Sequence, residues 1–487
     1  MRKSILRIAA AQVLCAAILL SVTAFPANAK IVLPGIFGDN MVLQQNSNVK
    51  MWGWGTPNST IEITASWNRN AVNAKCGSDG KWSAFIKTPA ASYDPQRITI
   101  GELRTAERVA LANILVGEVW FCSGQSNMEI PLKGFYNCPI EGSNEAIAES
   151  GKHTGVRVGM VQRNSPRHPV DTCTCRWLVP DPSVASDFSA VSYFFAVKLN
   201  EALNVPVGVL VSDWGGSRVE GWLSEEVLKG YPDIDLKPLD DPKNDSYYRP
   251  EVMYNGMLHP LAGFTIRGAI WYQGESNVGC HDTYPARLSK MISLWRSEWG
   301  QGDFPFYIVE IAPFDYFSDE QDEMSAFLRE AQYKVSVTVP NCGYVCTNDL
   351  LDAYEATNIH PKRKAEIGQR LSWLALSKTY GVKGIVGVSP TYRPGSMKVA
   401  EGKATLAFDN LVDGFNRMDG LEGFEIAGKD SVFHPAMAKV VDVWNIEVSS
   451  PDVSEPVAVR YCFHDFQVGN VRNSRWLPLV PFRTDSW

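Results

Sequence analysis

From about residue 113 to residue 397 the chain repeats one pattern, in which apolar runs of five to eight residues alternate with longer amphipathic segments. A short run that is apolar at every position is buried on both faces. Such strands, separated by amphipathic helices, build a parallel sheet from βα units. The expected strands are 114–122, 205–211, 266–272, 306–311 and 344–347. Helical spacing is clearest over 193–203, 286–295 and 364–376.

The pattern differs on either side. Over residues 30–112 short alternating runs, such as Ile61, Ile63, Ala65 and Trp67, are separated by turn chemistry at Gly55-Thr-Pro-Asn58 and Asp79-Gly80, which predicts a small β-sandwich. Residues 398–487 have the same character, with Val457, Val459, Tyr461 and Phe463 alternating, and predict a second β module. Residues 1–29 read as a secretory leader: Arg2, Lys3 and Arg7 precede an apolar run from Ile8 to Phe25, and Ala27-Asn28-Ala29 supplies a small-residue cleavage site. The expected location is therefore secreted or periplasmic, with no membrane anchor after cleavage.

Without the three basic leader residues the net charge falls from -7 to about -10, so nothing in the charge balance invites nucleic acid. Nine of the ten cysteines lie beyond the leader. Export permits disulfides, and one or two bridges are expected, with Cys122 a buried thiol. Neither Cys173-Thr-Cys175 nor Cys342-x3-Cys346 has the matching pair or histidines of a zinc site.

In an open parallel sheet ligands bind beyond the carboxyl ends of the strands, and four strand exits carry chemistry. The first, Cys122-Ser-Gly-Gln-Ser-Asn-Met128, uses glycine for a tight turn and presents Ser126 with its own backbone N–H available to an oxyanion. On this motif alone, a nucleophile and a helix N-cap serine are equally good readings. The second, Asp213-Trp-Gly-Gly-Ser217, brings the N–H groups of Gly215 and Gly216 close to a bound atom, or is a plain turn. At the third, Trp271-Tyr-Gln-Gly-Glu-Ser-Asn277, Gln273 offers a neutral amide donor and Glu275 a rival carboxylate catalyst. The fourth, Ile359-His-Pro361, holds the one histidine of seven that combines a strand-to-helix junction with late placement in the domain of Ser126. Serine needs a base, and the tetrahedral intermediate needs donors. Ser126, His360, the Gly215 and Gly216 N–H groups and Gln273 together meet both needs.

These motifs resemble those of the sialate O-acetylesterases and related carbohydrate acetylesterases of the SGNH-hydrolase superfamily. The most specific pieces are Gly117-Glu-Val-Trp-Phe-Cys-Ser-Gly-Gln-Ser-Asn-Met128, Trp214-Gly-Gly-Ser-Arg-Val-Glu-Gly-Trp222, Tyr254-Asn-Gly-Met257, Ile270-Trp-Tyr-Gln-Gly-Glu-Ser-Asn277 and Ile359-His-Pro-Lys362. The resemblance implies an α/β fold with a three-layer α/β/α SGNH-hydrolase-like catalytic domain over 113–397, flanked by N- and C-terminal β-sandwich modules. It also implies Ser126 as nucleophile, His360 as base and, as oxyanion donors, Ser126, a glycine of the Gly215-Gly216 pair and Gln273. No metal or other cofactor is needed. Gln125, Arg218, Asn255 and Glu275 are expected to contact an O-acetylated sugar or glycan. Many relatives carry an aspartate two or three residues before the histidine, where it orients the imidazole. Here Thr357 and Asn358 stand in its place, and Asp352, with Asp349 beyond it, is the candidate third member if the loop folds back. A Ser-His dyad is the alternative.

Three other functions compete. An esterase of this kind acting on xylan or another plant polysaccharide has the same motifs. A glycosidase using Glu275 and a partner such as Glu310 leaves Ser126 and Gln273 unexplained. A catalytically inactive carbohydrate-binding protein would use some of the fifteen tryptophans as stacking platforms.

Overall fold

Strand β1 (Arg108–Gly124) is buried at every position from Ile114 onward, as a central strand covered on both faces must be. In the computed structural model, which describes residues 31–237, 247, 249–316 and 322–487, it lies in the middle of a mixed sheet. The others are β2 (Val156–Val161), β3 (Cys175–Leu178), β4 (Val207–Asp213), β5 (Gly268–Tyr272), β6 (Phe306–Val309) and β7 (Cys342–Val345). Their order is β7-β6-β5-β1-β4-β2-β3. All are parallel except β3, which turns back antiparallel on β2. The five expected strands are present. Strands β2 and β3 were not expected, because Arg157, Gly159 and Arg176 interrupt their apolar runs.

Side chains alternate across the sheet. Trp120 and Cys122 face a core shared with helices α1 (Ala190–Leu203) and α4 (Lys364–Leu374). Phe121 faces the other way, with its ring centroid 5.4 Å from Trp295 and 5.3 Å from Trp299 of helix α2 (Tyr284–Trp299). Trp271 of β5 meets Trp295 edge-on at 5.5 Å. Tilted and edge-on aromatic pairs of this kind add roughly 0.5–1.5 kcal/mol each beyond their burial. Helix α3 (Met324–Thr338) packs beside α2. It starts after Glu323, which makes no side-chain cap hydrogen bond, so no capping residue marks its start in the sequence.

Helix ends follow local chemistry. Ser189 caps α1 by accepting the Ser192 N–H, and the helix stops at Asn204 in the left-handed region. Helix α2 has Pro285 in its first turn and ends on Gly300 at φ +64.

The chain folds into two units. One, formed by described residues 31–33, 51–84 and 98–110, carries the antiparallel pairing of Thr60–Ala65 with Asn68–Lys75 and with residues 98–102, its core including Ile61, Ile63, Ile98 and Ile100. The other holds the α/β sheet and the C-terminal strands. There two small antiparallel sheets share one core, with Leu406, Phe408, Ile446 and Val448 from one and Ile426, Val459 and Tyr461 from the other. All nine described cysteines are free thiols, so the one or two expected bridges are not formed. Most are spent as small apolar side chains. Cys122 is buried, as expected, and burial raises its thiol far above the usual range. The leader expected over 1–29 lies outside the described residues.

Candidate active site

Three neighbouring strands end level with one another, since Gly124 pairs with Asp213 of β4 on one side and with Tyr272 of β5 on the other. The segments that follow therefore leave from one edge of the sheet. Gly124 has φ +147, and a Cβ there would lie 2.1 Å from the Tyr272 carbonyl oxygen, so only glycine makes this turn. Ser126 then opens a one-turn helix, Ser126–Glu129. Its N–H, at the first helical position, has no carbonyl partner within the helix. Ser126 is partly exposed while Gln125 and Asn127 on either side are buried.

The second exit comes against the first. The Trp214 N–H donates to the Gly124 carbonyl at 3.1 Å, and a Cβ on Gly215 would sit 3.4 Å from the Ser126 Cβ. The Gly215 N–H is engaged: it donates to Glu129 Oε2 at 2.6 Å.

His360 comes from farther away. Strand β7 lies three strands from β1, roughly 14 Å at ~4.8 Å per strand. The segment between β7 and α4 crosses that gap, and Asn127 anchors it, its Nδ2 donating to the Ile359 carbonyl at 2.9 Å and to Glu275 Oε1 at 2.5 Å. Asn127 Oδ1 accepts from Lys364 Nζ at 2.6 Å. Lys364 is fully buried, with its ammonium 5.3 Å from the Tyr272 ring centroid. Burial lowers its pKa to about 7, and burial raises that of Glu275. Burial, aided by the Lys364 charge, lowers the His360 pKa to about 4. The imidazole is thus neutral at pH 7, the state a general base requires. Its Nε2 is buried without a hydrogen-bond partner among the described residues. Nδ1 faces Cys138 Sγ at 3.6 Å, and Phe135 meets the ring edge-on at 5.4 Å.

Several of the other candidates are engaged by neighbouring groups. Asp352 does not reach His360, because it pairs with Lys362 and, at 2.7 Å, with Arg363, and caps the turn Ala353–Glu355. Asp349 is held by both Arg370 amino groups, at 2.7 and 2.8 Å, and by Arg472. Gln273 is fully buried and its amide N–H groups go to Ser217 O and Asn277 Oδ1, at 3.1 and 2.8 Å, so it braces the turn. Gln125, Asn255 and Glu275 are buried too. Gln125 Oε1 accepts from the Gly274 and Ser276 N–H groups, and Asn255 donates to the Pro166 and Arg167 carbonyls. Each satisfies backbone groups left over at the strand exits, which is why polar residues are required there. Gly216, at φ +77, makes the turn after Gly215, and Arg218 is exposed. Glu310 is fully buried against the Thr347 N–H, so a Glu275–Glu310 glycosidase pair has no access to a glycan.

Four residues near the site carry no expected role from the sequence: Asn127, Lys364, Glu129 and Cys138. The first three lie within or next to the serine and histidine motifs, a signal that could have marked them. Cys138 had no such signal.

Residues 116–377 match the family described as carbohydrate esterase, sialic acid-specific acetylesterase. The chain belongs to this family. That match spans more than half of the chain and contains every strand exit described above. Among relatives of this carbohydrate esterase, the human sialate O-acetylesterase is 28% identical over 382 residues, covering 72% of each chain. The mouse sialate O-acetylesterase is 26% identical over 504 residues, covering 91% of this chain and 92% of its own. A crystal structure of a carbohydrate acetylesterase from Xanthomonas citri is 32% identical, with a TM-score of 0.84 over 94% of this chain and 100% of that one.

Proposed function

We propose that this esterase removes O-acetyl groups from sialic acids through an acetyl-serine intermediate, with Ser126 as nucleophile and His360 as general base and acid. The observation that carries the reading is the Asn127 amide, which joins the residue after the serine to the residue before the histidine. His360 Nε2 takes the Ser126 hydroxyl proton as Oγ attacks the acetyl carbon. The Ser126 N–H and, once Glu129 has moved aside, the Gly215 N–H meet the developing oxyanion. His360 then passes its proton to the departing sugar alkoxide, leaving acetyl-Ser126 and a free sugar hydroxyl. Water, deprotonated by the same imidazole, releases acetate and restores the serine. With no carboxylate bonded to Nδ1 among the described residues, the pair works as a Ser-His dyad, its ring held by Phe135 and Cys138.

The fold of residues 113–397 is of the SGNH-hydrolase kind in this reading, with β-sandwich modules over 30–112 and 398–487. A leader removed after Ala29 delivers the enzyme to the periplasm or the medium, where glycans are met. No described helix is long and apolar enough to cross a membrane. Acetate release from a panel of acetylated sialic acids, xylan and neutral sugars, with Ser126→Ala and His360→Ala as controls, tests the reading. Release from the sialic acids alone, lost in both variants, is expected. Full activity in either variant would overturn it.

A further inference from the structure

Arg163 follows β2 and stacks its guanidinium over the Trp214 indole, 5.3 Å from the ring centroid. One of its amino groups grips Glu129 Oε1. The other oxygen of the same carboxylate accepts the Gly215 N–H at 2.6 Å. Glu129 stands one helical turn after Ser126, and its Oε2 lies 2.8 Å from where a Gly215 Cβ would be, itself 3.4 Å from the Ser126 Cβ. A carboxylate thus occupies the space beside the nucleophile, tied at one end to an arginine and at the other to a backbone donor. Burial, and the Glu129 charge beside it, raise the Asp213 pKa well above the usual carboxylate range.

We infer that Arg163 selects carboxylate-bearing sugar esters, and that by exchanging Glu129 for the substrate's carboxylate it unblocks the Gly215 N–H beside Ser126. This rests on the esterase reading above and names the group that would recognise an acidic sugar. The exchange is inexpensive. The Arg163 side chain is 49% exposed, and an ion pair with one partner open to solvent is readily exchanged for another. The planar guanidinium, fixed by the indole, presents its open edge to a carboxylate in the two-pronged geometry arginine favours. Once the sugar carboxylate holds Arg163, Glu129 loses its ion-pair anchor and the acetyl oxygen takes its place on the glycine N–H. A neutral ester gains no such release.

The test compares kcat/KM for O-acetylated N-acetylneuraminic acid, for its methyl ester, in which the carboxylate is uncharged, and for para-nitrophenyl acetate. The wild-type enzyme is expected to prefer the free acid over the methyl ester by about tenfold or more. Arg163→Ala brings that ratio close to one, and Arg163→Lys restores part of it. Glu129→Ala raises the rate on para-nitrophenyl acetate severalfold, because the donor is no longer capped. A wild-type enzyme indifferent to the methyl ester, a ratio that survives Arg163→Ala, or a Glu129→Ala variant slowed on para-nitrophenyl acetate would overturn the inference and leave the esterase reading standing. An enzyme that cleaves para-nitrophenyl acetate but neither sialate ester removes the sialate reading and the inference together. One inert to all three also removes the esterase reading.

Discussion

Asn127 and Ile359 are 232 positions apart in sequence and 2.9 Å apart as amide nitrogen and carbonyl oxygen. Each is the immediate neighbour of a proposed catalytic residue, so this bond fixes the separation of the serine turn and the histidine loop. Asn127 also has Glu275 on its amide nitrogen and Lys364 on its oxygen, so one buried side chain holds together an anion, a cation and a backbone group.

Asn127→Ala removes all three bonds at once. It leaves Lys364 buried without its hydrogen-bond acceptor and the Ile359 carbonyl without this donor, a loss of roughly 3 kcal/mol. Urea unfolding should show that drop. Initial rates on para-nitrophenyl acetate should fall at least tenfold at a temperature where the variant is fully folded.

The His360 pKa of about 4 places the acid limb of kcat/KM far below that of an ordinary imidazole. Lys364→Met removes the positive charge that contributes to this, and the limb should move upward. Stability follows the same sign. The unfolded chain binds more protons than the folded one between pH 4 and 6.5 at His360 and between pH 7 and 10.5 at Lys364. Folded stability therefore falls as pH drops through each window, which thermal unfolding across pH would record.

Cys138 stands where a triad's carboxylate would meet the imidazole, its sulfur 3.6 Å from Nδ1. Burial raises its thiol, so it is uncharged at neutral pH and gives the imidazolium no counter-charge. Cys138→Asp supplies one. The acid limb should rise by a unit or more as the protonated ring is stabilised, a shift that a pH–rate profile reads directly. Cys138→Ser, which is uncharged, should leave the limb in place.

Gly215→Ala puts a methyl group into the space between Ser126 and Glu129. The nearest atom is the end of a flexible side chain, so the fold should survive with a melting temperature close to wild type. Activity should still fall at least tenfold, because the methyl group crowds the acetyl group's place against Ser126.

The sheet was legible because buried parallel strands are apolar at every position. Where a strand carries charge or glycine, as Val156–Val161 does with Arg157 and Gly159, the signal disappears although the strand is present. At the site, the motifs located the right loops but not the task of each residue within them. Gln273, Gln125 and Asn255 have the side chains of substrate contacts, yet each is taken up by backbone groups that only the folded strand exits bring together. Asp352 was expected to serve the histidine because it is nearby in sequence. Two cations nearer to it in space hold it instead. The Glu129–Arg163 pair joins segments from different strands, and no spacing in the sequence announces it.

The central claim is that Ser126 carries the acetyl group, and the most direct test is rapid mixing of the enzyme with para-nitrophenyl acetate followed by peptide mapping. A nitrophenolate burst of one equivalent per enzyme, with the acetyl group on the peptide containing Ser126 and the burst absent in Ser126→Ala, is the predicted result. A burst that persists in Ser126→Ala, or an acetyl group mapped to another residue, would contradict it.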